Sequence, residues 1–203
     1  MDAQQHSVRL VEGYKIVLAS NSPRRKELLA GLGVDFEVRT LQDIDESYPD
    51  TLRGEEIPMH ISAKKAEAYR AEMADDEMII TADTIVYDNG KVLGKPRDKE
   101  DAVRMLRQLS GHAHEVITGV SILTKNRTVQ FASTSKVYFA ALTDEEINHY
   151  VDTNHPFDKA GAYGIQEWIG FVGVTRIEGS YFNVMGLPIQ RLYTELKAFV
   201  HSK

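Results

Sequence analysis

The chain has 203 residues, 42% of them hydrophobic, with no cysteine and a formal net charge of −6. That length and apolar content suffice for one domain with a real core, and the acidic balance argues against a nucleic-acid backbone as the main partner. The absence of cysteine excludes disulfides, thiol catalysis and thiolate metal sites. No apolar run approaches the roughly 20 residues of a membrane span, and residues 1–13 lack the apolar core of a signal peptide. The expectation is a cytoplasmic protein without membrane contact, with a tail over residues 1–13 and a single domain over residues 14–203.

Strand-like and helix-like segments alternate along the chain, which predicts an α/β fold. Tyr14 to Ala19 reads as a strand. Pro23 opens a helix to about Leu32, since proline fits a first helical turn, and Gly33 suits the turn that follows. Phe36 to Arg39 is the next strand candidate, and Pro58 opens a helical stretch to about Met73. Met78 to Tyr87 reads as a buried strand. Asp88-Asn89-Gly90 signals a hairpin whose return strand is Lys91 to Leu93. Asp98 caps a helix to about Leu109, with Ala102, Met105, Leu106 and Leu109 at helical spacing.

Two long strands follow, His114 to Thr124 and Thr128 to Phe139, paired through a turn at Lys125-Asn126-Arg127. Thr143 with Glu146 forms a capping box for a helix ending near Asp152. A glycine-rich segment and a strand come next. The last helix starts near Pro188 and carries Leu192, Leu196 and Val200 on one face. Helices alternate with strands at both ends and hairpins fill the middle, so a mixed sheet flanked by helices fits better than a purely parallel one.

Ile16 to Leu29 is the most informative stretch. A short apolar run ends in small hydroxylated residues, and a helix begins with two adjacent arginines. A helix N-terminus offers free N–H groups and partial positive charge. Ser20, Ser22, Arg24 and Arg25 around it make a site suited to a polyphosphate. Asp83 is the carboxylate that stands out. It interrupts an apolar run, where a charge is costly unless paired or bound to metal. The histidines offer no competing metal site: His112 and His114 lack a third ligand at convincing spacing, and His60, His149, His155 and His201 stand alone. Gly161 and Gly164 bracket Tyr163 in a segment whose backbone can approach a ligand closely. Gln166 offers both donor and acceptor groups, which suits the mixed edge of a pyrimidine base, although in isolation it reads as a plain polar loop residue.

Taken together, the opening signature, Thr81-Ala82-Asp83-Thr84-Ile85-Val86, Gly94-Lys95-Pro96, Leu109-Ser110-Gly111, Asp158 to Gln166 and Gly186-Leu187-Pro188 resemble the Maf family of nucleoside triphosphate pyrophosphatases, in the family's order and over nearly the whole chain. The resemblance implies an elongated, two-lobed α/β structure with a mixed twisted sheet, shared with inosine triphosphate pyrophosphatases and often dimeric. It implies hydrolysis of a nucleoside triphosphate to the monophosphate and pyrophosphate, with a link to septum formation. It makes Asp83 the general base and places Lys65, Lys95 and Lys159 on phosphate oxygens. It also implies a divalent cation, magnesium, manganese or cobalt, for which Glu46 and Asp83 are the candidate ligands. Arg24, Thr84 and Ile165-Gln166 match the branch of the family that acts on dTTP and UTP, rather than the branch resembling 7-methyl-GTP pyrophosphatases.

One departure stands out. Many members have glycine directly after that glutamine, whereas here Glu167-Trp168 intervene. Glu167 adds negative charge near a triphosphate, and Trp168 either stacks on a base or plugs the core. The competing expectation is a non-catalytic, nucleotide-binding regulator of septum formation, which would keep the basic phosphate site and dispense with the carboxylates.

Overall fold

A computed structural model describes residues 10–201, and the side chains of Val200 and His201 lie outside the description; so does most of the expected tail. The described elements are β1 (Lys15–Leu18), α1 (Pro23–Ala30), β2 (Phe36–Val38), α2 (Glu56–Glu67), β3 (Glu77–Asp88), β4 (Lys91–Leu93), α3 (Lys99–Leu109), β5 (Ala113–Leu123), β6 (Thr128–Phe139), α4 (Asp144–Asn154), α5 (Trp168–Gly173), β7 (Val174–Glu178), α6 (Tyr181–Met185) and α7 (Ile189–His201). The strands form one mixed sheet in the order β2-β1-β3-β5-β6-β7, with β4 paired to β3. β1 runs parallel to β2 and β3, while the β3–β4 and β6–β7 pairs are antiparallel.

The chain divides into two compact units. Unit 1 takes the described parts of Met1–Asp83, Thr118–Ser133 and Gly186–Lys203; unit 2 takes Thr84–Ile117 and Thr134–Met185. In unit 1 a core of Val17, Ala66, Tyr69, Met73, Ile79 and Leu123 lies between α2 and the sheet. A chain of buried polar bonds fastens that helix. The Thr81 hydroxyl donates to the Ser62 carbonyl at 2.7 Å, and the Ser62 and Ser121 hydroxyls lie 3.1 Å apart. Gly119 allows the closest approach. A Cβ there would sit 2.3 Å from the Pro58 carbonyl carbon and 2.4 Å from the Met59 nitrogen.

In unit 2, α3 and α4 cover a core that includes Val86, Leu106, Val116, Val137, Tyr150 and Tyr163. His114, Phe139 and Tyr163 meet edge to face, with centroids 5.0 to 5.5 Å apart. The Tyr163 hydroxyl and His114 Nε2 share a hydrogen bond at 2.7 Å. Asn183 of α6 is fully buried and donates to the Val116 carbonyl and the Ser135 hydroxyl, both at 3.0 Å.

The local signals hold where chemistry is local. Asp98 accepts from the Asp101 N–H, and the Thr143–Glu146 capping box is complete. Asn89 and Gly90 both take positive φ in the β3–β4 hairpin, as a two-residue turn of that kind requires. The expected helix to Met73 is a correction: α2 runs from Glu56 to Glu67, and three-residue turns follow, with Tyr69 N–H donating to the Ala66 carbonyl at 3.0 Å. Those turns direct Tyr69 and Met73 into the core. The short helices α5 and α6 were not expected from sequence. Gly170 in α5 sits where a Cβ would lie 1.9 Å from the Ile165 carbonyl oxygen, so the helix depends on that glycine. No described helix is long and apolar enough to cross a membrane.

Two outcomes follow from this packing. A methyl at residue 119 must push α2 backbone off β5, so Gly119→Ala costs at least about 3 kcal/mol and lowers the melting temperature by about 6 °C or more. A thermal melt of the purified variant checks this. Burial pushes the His114 pKa down to about 4, with Asp88 opposing and His112 adding to the shift. The folded protein therefore holds His114 neutral, while the unfolded chain protonates near its ordinary value of 6.5. Stability falls as pH drops from about 6.5 to about 4, by about 3 kcal/mol from this residue, and the contribution levels off below that. Denaturant melts at pH 7 and pH 4.5 should show this slope in the wild type and lose most of it in His114→Leu.

Candidate functional site

The residues singled out by sequence fall in both units. In unit 1, β1 ends at Leu18 and α1 begins at Pro23, so residues 19–22 form a short polar turn at the helix N-terminus. Ser22 is the N-cap residue but makes no side-chain cap bond. The Ser20 hydroxyl is buried and accepts from the Ser22 N–H at 3.3 Å. Arg24 and Arg25 lie in the first turn with different roles. Arg24 is half-buried. Arg25 reaches along the sheet and donates to the Gly186 carbonyl at 2.8 Å and the Ala82 carbonyl at 2.9 Å. Burial lowers its pKa, Asp83 and Glu46 counter that, and Arg24 adds to it; an arginine so placed still keeps its charge. Arg25 thus braces the backbone one residue before Asp83.

Asp83 meets Lys65 for a geometric reason. Thr81 and Asp83 are two apart on β3 and share one face of the strand, while Ser62 and Lys65 are three apart on α2 and share one face of the helix. Once the Thr81 hydroxyl bonds the Ser62 carbonyl, the next pair along the same line is Asp83 with Lys65. Lys65 Nζ lies 2.8 Å from Asp83 Oδ1 and 3.0 Å from Glu46 Oε1. The Lys65 and Asp83 side chains are 15% and 13% exposed, against 58% for Glu46.

Glu46 is delivered by a loop that the core holds down. The Tyr69 hydroxyl donates to the Arg39 carbonyl at 2.8 Å and accepts from the Leu41 N–H at 3.0 Å. Leu41 and Ile44 pack on the unit 1 core. Lys64 then takes Asp45 Oδ2 at 2.6 Å and the Ser47 carbonyl at 3.0 Å. Adjacent lysines on α2 therefore grip adjacent acids of the loop.

Two carboxylates that meet at one ammonium are hard oxygen donors of the kind that magnesium or manganese takes, and such ions need only one or two protein carboxylates beside water and phosphate oxygens. Glu46 and Asp83 fit that requirement. Among the described residues no cluster of three or more His, Asp or Glu offers a fuller cage.

In unit 2, Thr84 follows Asp83 in β3 and is half-buried. Lys95 is exposed in the turn after β4, beside the buried Pro96. That turn is tied to the glycine-rich segment: the Gly161 N–H donates to the Gly94 carbonyl at 3.0 Å. Gly161 has φ +68°, and a Cβ there would lie 2.8 Å from Val86 Cγ2, so no larger residue fits. Lys159 stands at the start of the segment with an 11% exposed side chain, paired to Asp158 at 2.8 Å and Glu167 at 3.0 Å. Gln166 is exposed. Trp168 packs against the unit 2 core, with its ring edge-on to His149 at 4.9 Å, which favours the core-plugging expectation over base stacking. Tyr150, whose hydroxyl donates to Glu167 and accepts from the Gly164 N–H at 3.0 Å, escaped sequence reasoning, because a tyrosine at helical spacing reads as plain core.

The chain resembles known proteins over most of its length. The family model described as Maf-like protein matches residues 15–199. A protein of Parabacteroides distasonis named dTTP/UTP pyrophosphatase is 62% identical over 186 residues, covering 92% of this chain and 96% of the relative. One of the same name from Porphyromonas gingivalis is 54% identical over 191 residues, covering 93% and 96%. Among solved structures, the Staphylococcus aureus Ham1 protein shares the fold, with a TM-score of 0.53 at 16% identity, covering 91% of this chain and 99% of that one. The chain belongs to the Maf family.

Proposed function

We propose that this protein hydrolyses nucleoside triphosphates, dTTP and UTP by preference, to the nucleoside monophosphate and pyrophosphate. The observation that carries the reading is the pair of carboxylates, Asp83 and Glu46, gathered on Lys65 beside the arginine-bearing N-terminus of α1. A regulator that only bound nucleotide would have no use for acids in a phosphate site. The name carried by relatives 62% identical over 92% of the chain supports the same activity and substrate preference.

In this reading, Asp83 is the general base and accepts a proton from a water aimed at the α-phosphorus. The water oxygen bonds to that phosphorus, the bond to the bridging oxygen between the α- and β-phosphates breaks, and pyrophosphate leaves with the electron pair. Lys65 orients Asp83. Ser20, Ser22, Arg24 and the N–H groups of the α1 N-terminus hold phosphate oxygens, and Arg25 acts mainly by holding the Ala82 and Gly186 carbonyls in place. Lys95 and Lys159 supply further point charges on phosphate. Arg24, Thr84 and Gln166 select the pyrimidine nucleotide. Glu46 and Asp83 would hold a divalent cation, which when bound neutralises triphosphate charge and helps to ionise water.

Pyrophosphate release from a panel of canonical and modified nucleoside triphosphates, with and without magnesium or manganese, tests the reading. Metal-dependent release from dTTP and UTP with matching monophosphate is expected. Preference for 7-methyl-GTP overturns the assignment of Arg24, Thr84 and Gln166, and nucleotide binding without turnover overturns the enzyme in favour of the regulator. In the same assay, Asp83→Asn should lower kcat by roughly two to four orders of magnitude while the protein still binds nucleotide; a wild-type rate would remove Asp83 as the base.

A further inference from the structure

The residue that departs from the family pattern, Glu167, sits between two hydrogen bonds and an ion pair within unit 2. The Gly164 N–H donates to the Tyr150 hydroxyl at 3.0 Å, the Tyr150 hydroxyl donates to Glu167 Oε2, and Glu167 Oε1 lies 3.0 Å from Lys159 Nζ. Tyr150 is fully buried in α4. Burial, and next the bond to Glu167, raise its pKa well above the ordinary phenol value, so it stays a proton donor to the carboxylate.

Glu167 is 24% exposed at its side chain, whereas the other partner of Lys159, Asp158, is 68% exposed. Solvent screens the Asp158 pair much more than the Glu167 pair. Glu167 and Lys159 both lie over Gly164, where a Cβ would sit 2.9 Å from Glu167 Cδ and 3.1 Å from Lys159 Cε. The next residue, Trp168, is also anchored on α4, through His149. Glu167 is therefore fixed by the core at one oxygen and grips the lysine with the other.

We propose that Glu167 is a positioning residue that sets the direction of the Lys159 ammonium and thereby the affinity for the triphosphate. This rests on the nucleotide-hydrolysis reading above, in which Lys159 meets phosphate. A lysine ammonium has three N–H donors; Asp158 accepts one at 2.8 Å and Glu167 holds the ammonium as an ion partner at 3.0 Å, which leaves donor capacity for an incoming phosphate oxygen. A free lysine side chain samples many rotamers and must lose them on binding, whereas this one is ordered in advance. The negative charge that Glu167 brings is absorbed by Lys159 and the Tyr150 hydroxyl.

Steady-state pyrophosphate release from dTTP by the full chain tests this with Glu167→Gln, Lys159→Met and the double variant. Glutamine keeps the acceptor for Tyr150 and removes the charge that grips Lys159. Glu167→Gln should raise KM roughly three- to tenfold with kcat within about twofold of wild type. Added to Lys159→Met, it should have no further effect, because a positioning residue acts only through the group it positions. Tyr150→Phe, which leaves the charge but unties it, should shift KM in the same direction by less, and it carries the test if Glu167→Gln does not fold. An unchanged KM in folded Glu167→Gln, or effects that add in the double variant, overturns the proposal alone. A wild-type protein that releases no pyrophosphate from any nucleotide overturns the hydrolysis reading, and the proposal with it.

Discussion

Lys65 is shared by two carboxylates, and the local structure of unit 1 is arranged to make that sharing possible. Asp83 sits in a strand whose neighbours Met78, Ile79 and Ile80 are fully buried, so its charge has lost most of its hydration. An uncompensated charge in such a place costs roughly 3–5 kcal/mol, and a well-placed opposite charge offsets the cost without much net gain. The pair is thus poor as a device for stability. It makes sense as a device for keeping a carboxylate in one orientation where a folded protein would otherwise avoid one. Lys65 also brings in Glu46 from a loop of its own, so one ammonium concentrates two acids that repel each other at the same place.

The precision comes from apolar packing and hydroxyl bonds that carry no charge at all. The line from Thr81 to Ser62 to Ser121 sets how far α2 slides along the sheet, and Gly119 sets how closely it approaches. A shift of one helical residue would move Lys65 off Asp83 by about 1.5 Å along the axis and by about 100° around it. Arg25 acts on the other side of Asp83, since its guanidinium holds the Ala82 carbonyl and anchors the Gly186 carbonyl at the start of the last segment of unit 1. Three separate stretches of chain converge on one carboxylate through ordinary packing.

How much of this was legible in the sequence depends on the distance over which each signal acts. Pro23, the Asp98 cap, the Asn89-Gly90 turn and the Thr143–Glu146 box declare themselves within four residues, and the elements they bound stand close to where sequence reasoning put them. The helix α5, Trp-Ile-Gly-Phe-Val-Gly, has two glycines and two β-branched residues, which local propensity assigns to a strand or a turn. It is a helix because Gly170 fits against the Ile165 carbonyl and Ile169 is buried, facts that belong to the tertiary fold. The site divides the same way. Asp83, Arg24 and Lys159 are visible as charges in unusual settings, and the resemblance to a family orders them. That Lys65 pairs with both Glu46 and Asp83, or that Tyr150 anchors Glu167, follows only from register between distant segments.

Each unit contains one nearly buried lysine held between two carboxylates, Lys65 by Asp83 and Glu46, Lys159 by Glu167 and Asp158. The repetition has a physical logic in a chain of net charge −6. A protein that binds a triphosphate needs cations at fixed points, but clustered bare cations repel one another and invite nonspecific anions. Acids on either side hold each lysine in one place and balance its charge locally. In the nucleotide-hydrolysis reading the cost is that those acids would also face the substrate. Glu46 and Asp83 turn that cost to use if they hold a divalent cation, and Glu167 avoids it by having its charge taken up by a tyrosine hydroxyl and the lysine itself. Acid placement, more than the number of basic residues, is what lets an acidic protein present a selective site for polyphosphate.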